Sequence, residues 1–68
     1  MIPTLDDLTC LAITRAEAVL PKLQDAPSIV LLEGNIARTK TALREGNVPA
    51  MRVETKNLRA WVLELENL

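Results

Sequence analysis

The chain has 68 residues, 49% of them apolar, with eight basic and nine acidic side chains, no histidine, one cysteine and a single aromatic residue, Trp61. That length gives one small domain over residues 1–68, and folding alone would hide only about 60% of the unfolded surface. An intramolecular disulfide and the commonest metal ligand are excluded, so the expected source of added stability is association, most simply a twofold homodimer. A net charge of −1 excludes a global field that would draw in nucleic acid or an anionic membrane.

"MIPTLDDL" lacks the basic start and apolar centre of a secretory signal. No apolar run approaches the roughly 20 residues that span a bilayer. The expected location is the cytoplasm, where one unpaired thiol is at home.

The first predicted helix opens at Thr4, a capping residue, with Asp6 and Asp7 in the first turn complementing the helix dipole. Leu5, Leu8, Ala12, Ala16, Val19 and Leu23 recur at helical spacing, and Ile13 and Leu20 widen the stripe. Pro21 cannot donate to the carbonyl of Glu17 and its ring crowds that turn, so a kink or stop is predicted near Leu20. Cys10 lies off the stripe, with neither an adjacent cation nor a base to activate it, and is read as filler.

"QDAPS" and "EGNVP" are the two strong breaks, each offering a polar cap followed by a proline tolerated in a helix's first turn. Between them the spacing predicts a helix over about 28–45. Ile29, Leu32, Ile36 and Leu43 share its narrow buried face, and Gly46 stands as the C-terminal stop. Leu31, Asn35 and Ala42 are assigned to the exposed side of this helix, and Gly34 lowers helix propensity in its middle.

The third helix, Asn47 to about Asn67, has an asparagine cap and Pro49 in its first turn. Met51, Thr55, Leu58, Val62 and Leu65 alternate in steps of four and three. Ala50, Trp61 and Leu68 extend the same side to a breadth of roughly 160°. One hairpin partner covers less than this, so Leu58, Trp61, Val62, Leu65 and Leu68 are assigned to the interface with a second copy. The fold class is all-α: three helical segments in a small bundle completed by homodimerisation.

The chemistry in the sequence is that of contact. Without histidine the usual general base is missing, and no Gly-rich phosphate loop is present, so neither an enzyme nor a cofactor is expected. Arg52, Lys56 and Arg59 recur at i, i+4 and i+7 with Leu63 inside their stripe. Such a surface suits a partner protein with an acidic rim around an apolar pocket. The competing reading is a dimeric DNA-binding regulator in which the same cations meet phosphates, opposed by Glu54, Glu64 and Glu66 nearby.

The three segments "TLDDLTCLAITRAEAVL", "SIVLLEGNIARTKTALRE" and "AMRVETKNLRAWVLELEN" together resemble, in general character, small phage-encoded inhibitors of host proteins. These include helical anti-activators that sequester transcription factors such as quorum-sensing regulators; small antitoxins and plasmid regulators are similar as well. The resemblance implies binding to, and inhibition of, a host protein, and transfers no functional residue.

Overall fold

The computed structural model describes residues 2–67 as three α-helices in one bundle. α1 spans Leu5–Val19, α2 Ala26–Glu45 and α3 Val48–Glu66, with a single 3₁₀ turn at Leu20–Lys22.

Each helix starts where its sequence offers an acceptor to the first-turn N–H groups. Thr4 Oγ1 accepts from the N–H of Asp7, and the Asp7 carboxylate accepts from the N–H of Thr4, at 3.1 and 3.2 Å. This reciprocal pair is a capping box built with aspartate. Asp25 caps α2 through Ser28, and Asn47 caps α3 through Ala50. The cap at Asp25 places the start of α2 two residues before the predicted Ser28. Ala26 and Pro27 fill its first two positions, where a missing N–H is not felt.

The stops follow the same logic. The N–H of Leu20 reaches the carbonyl of Ala16, but Pro21 has none to offer, and the chain tightens into the 3₁₀ turn closed by Leu23 to Leu20. Pro21 therefore ends α1. At the other junction Gly46 takes φ +66°, its N–H donates to Leu43, and the N–H of Asn47 donates to Ala42. This is a Schellman ending, and it leaves only Gly46 and Asn47 between α2 and α3. So short a link folds the two helices back antiparallel, as the Arg38–Glu54 pair across them also requires.

α3 is the central element and packs against both others, while α1 and α2 touch each other less. Met51, Thr55, Leu58, Val62 and Leu65 are all buried, as the stripe predicted. The core joins Leu58, Val62 and Leu65 to Ala12, Ile13, Ala16 and Val19 of α1 and to Leu32 and Ile36 of α2.

Several sequence assignments need correction. Leu8 is partly exposed and its neighbour Thr9 is fully buried, because Thr9 Oγ1 meets Thr55 Oγ1 at 2.9 Å between α1 and α3. Asn35 and Ala42 are buried rather than exposed, because α3 packs over that flank of α2; of the trio only Leu31 faces out. Cys10 is exposed and fills nothing. Leu58, Val62 and Leu65, assigned to an interface with a second copy, lie inside the core of one chain and present no surface for docking. Leu68 lies outside the described residues.

Candidate functional site

Arg52, Lys56, Arg59 and Leu63 all emerge on the solvent side of α3. The buried stripe of α3 faces inward, and at 100° per residue Arg59 and Arg52 come nearest its α1 edge, with Leu63 and Lys56 successively farther round towards solvent. Leu63 is 64% exposed; one surface leucine is ordinary, and it becomes informative only beside other exposed apolar side chains.

The structure adds what periodicity along one helix did not reveal. α1 contributes Leu8, Leu11 and Arg15 to the same edge, and together with Arg59, Leu63 and Glu66 they border a groove of about 280 Å³. Ala12 and Val62, two core residues, form its floor. Ala12 is small, so α1 and α3 leave a furrow there, and Leu8, Leu11 and Leu63 stand along it as partly or largely exposed walls.

Charge is distributed unevenly around this groove. The two salt bridges among the described residues are Arg38–Glu54 at 2.8 Å and Lys40–Glu17 at 3.0 Å, both using cations of α2. Arg15, Arg52, Lys56 and Arg59, half of the chain's basic residues, take part in neither. Of these, Arg15 and Arg59 line the α1/α3 groove, where Glu66 is the one acidic lining residue, while Arg52 and Lys56 are exposed elsewhere on α3. A net charge near zero thus conceals a basic face, and clustered cations steer encounter with an anionic surface more than they add affinity.

A second, shallower groove lies between α2 and α3, on the other side of α3. Leu31, Asn35, Arg38, Trp61 and Glu64 line it, with a volume of about 350 Å³. Trp61 is half-buried at this edge. Asn35 is 4% exposed, and its side-chain oxygen is buried with no hydrogen-bond donor.

Neither groove brings together a nucleophile and a base. Among the described residues no group of three or more His, Cys, Asp and Glu side chains is placed to hold a metal ion, and none of the helices is long and apolar enough to cross a membrane. The Asp25 carboxyl is held below its ordinary value by hydrogen bonds from the Ser28 side chain and backbone N–H, which is a consequence of capping. Both grooves offer contact area, charge and hydrogen-bonding groups. Comparison with protein-family models, curated proteins and solved structures returns no match to this chain.

Proposed function

We propose that this chain is a non-enzymatic binding protein that uses its α1/α3 face to engage and block a partner protein. The observation that carries this reading is the juxtaposition, on one groove, of three exposed leucines, Leu8, Leu11 and Leu63, with two cations, Arg15 and Arg59, that take part in neither salt bridge among the described residues. The leucines supply burial on contact, and Arg15, Arg52, Lys56 and Arg59 select a partner whose apolar patch is rimmed by Asp or Glu. The helical anti-activators that the sequence resembles suggest a host transcriptional regulator as the class of partner, and inhibition as the consequence. The four named in the sequence, Arg52, Lys56, Arg59 and Leu63, remain the proposed contact residues, joined by their α1 neighbours.

The same cations are also what a small DNA-binding regulator or antitoxin needs. Exposed leucines between the cations favour protein over phosphate, since phosphate contacts gain nothing from apolar walls. Affinity capture from host extract, comparing the wild type with Arg52→Glu/Arg59→Glu, tests the choice. A protein held by the wild type and released by the variant is expected, with no sequence-selective DNA shift near physiological salt. Tight DNA shifts with a steep salt dependence would replace this reading with the regulator.

A further inference from the structure

Besides Asn35, the buried polar residues among those described are three threonines, one on each helix: Thr9, Thr39 and Thr55. Thr39 is satisfied within α2, where it donates to the carbonyl of Asn35 at 2.7 Å. Thr9 and Thr55 satisfy each other instead. Their hydroxyls meet at 2.9 Å, the one hydrogen bond among the described residues that joins buried side chains of different helices. Each therefore depends on the other, because a buried hydroxyl without a partner has lost its water and gained nothing in return.

Apolar burial alone does not demand this arrangement. At 100° per residue the buried positions of α1, Thr9, Ala12, Ile13, Ala16 and Val19, centre on a direction about 25° from Thr9. Leu8 and Ile13 stand at opposite edges of that stripe, about 75° and 65° from its centre, yet Leu8 is 38% exposed and Ile13 only 7%. A turn of α1 by about 40° about its own axis would exchange Ile13 for Leu8 in the core at similar apolar area. Room for it exists, since Leu8 borders the furrow over Ala12 and Val62. Leu11 would move the same way, as would Arg15, whose long stem lets the guanidinium stay in water. The same turn carries Thr9 off Thr55 and orphans a hydroxyl on a residue only 5% exposed. We propose that the Thr9–Thr55 pair is a rotational latch, holding α1 in the one orientation that displays Leu8 and Leu11 beside α3 instead of turning them inward.

The latch decides between packings that burial leaves nearly equal. One branched aliphatic side chain replaces another in the turned state, so the hydrophobic gain is small, whereas the broken pair is not replaced. A buried polar contact that selects one register among near-equal alternatives is the best-attested use of such groups in helical assemblies. Thr9 and Thr55 are thus positioning residues: they set the walls of the α1/α3 groove without lining it. The latch belongs to the free chain and holds whether or not that groove engages a partner.

Leucine-methyl NMR of the free chain, with a soluble gadolinium chelate that broadens exposed methyls, tests this. The wild type is expected to give one set of α1 resonances, with Leu8 and Leu11 strongly broadened. Thr9→Val and Thr55→Val each leave one hydroxyl orphaned and should lower the melting temperature by about 4 °C or more. Thr9→Val/Thr55→Val removes both hydroxyls at nearly constant shape and should melt close to the wild type. Its α1 resonances should double or broaden by exchange, and chelate broadening of Leu8 should fall by about half as two orientations become similarly populated. Thr9→Ser/Thr55→Ser keeps both hydroxyls and should retain the single wild-type orientation. A double-valine protein with one set of resonances and wild-type broadening at Leu8 and Leu11 overturns the proposal, as do single variants that melt as the wild type does or a double-serine protein that behaves like the double-valine one. A double-valine protein that fails to fold overturns it too, since the pair would then support the bundle's stability and not the orientation of α1.

Discussion

Leu58→Ala probes where the apolar face of α3 is buried. Leu58 has no exposed surface and sits where α3 meets the other helices. Truncating a leucine at such a site removes its transfer free energy and leaves a cavity that the surrounding helices fill only in part, at about 3–5 kcal/mol. A domain of this length has a total stability of about 3–10 kcal/mol, so the substitution consumes a large share of it. At about 4–8 °C per kcal/mol for a small domain, the melting temperature should fall by about 12 °C or more. Urea and thermal unfolding followed by far-UV circular dichroism measures this, and repeating it at several protein concentrations is the critical step. The loss should persist at the lowest concentration, where any dimer has dissociated. A loss under about 1 kcal/mol at that dilution would show that Leu58 is covered by a second chain and that the single-chain core described above is wrong.

Other consequences are local. Gly46→Ala puts a side chain at φ +66°, and although no atom crowds it, the left-handed backbone alone should cost about 1 kcal/mol in urea unfolding. Gly34→Ala should stabilise by up to about 1 kcal/mol through helix propensity, because the only close atom is the tip of the exposed Arg38 side chain at 3.2 Å, which can swing aside. The Asp25 carboxyl has a folded pKa below its unfolded value of 3.8, so its contribution is present above that value and is lost as pH falls through the lower, folded one. Asp25→Asn keeps a capping oxygen and should flatten the acid limb of the stability curve at the start of α2. Cys10 is exposed, so a thiol reagent should modify it in the native state at a rate that added urea below the transition hardly changes.

The sequence announced its helices through residues with local partners. Thr4, Asp25, Asn47, Pro21 and Gly46 act on chain within a turn of themselves, and the structure shows each doing so. The α3 stripe was legible because nearly every inward position of that helix is apolar. α2 was harder: it is covered along two flanks, and the second flank is marked by Asn35, Thr39 and Ala42, none of which stands out as hydrophobic. Thr39 is accommodated by donating to the carbonyl of Asn35 at 2.7 Å. Thr9 is buried only because Thr55 meets it across 46 residues of sequence, a pairing that no local spacing encodes. The α1/α3 groove failed to register for a similar reason. Leu8 belongs to the predicted α1 stripe, so Leu11 and Arg15, four apart and off that stripe, were the available signal. Their joining Arg59 and Leu63 depends on how α1 lies beside α3.

The proposed binding face is tested most directly by the kinetics of three variants against the captured partner, measured by surface plasmon resonance with melting curves on the same proteins. Arg52→Glu/Arg59→Glu should slow association at least about tenfold, with a smaller effect as salt rises, while Leu63→Ala should act mainly by speeding dissociation. Arg44→Glu, on α2 and outside the groove, should bind as the wild type does. All of them should remain folded, since surface substitutions usually change stability by no more than about 0.5 kcal/mol. Charge-reversed protein that is stable, folded and binds with unaltered rates would contradict the account and show the basic face to be merely solvated.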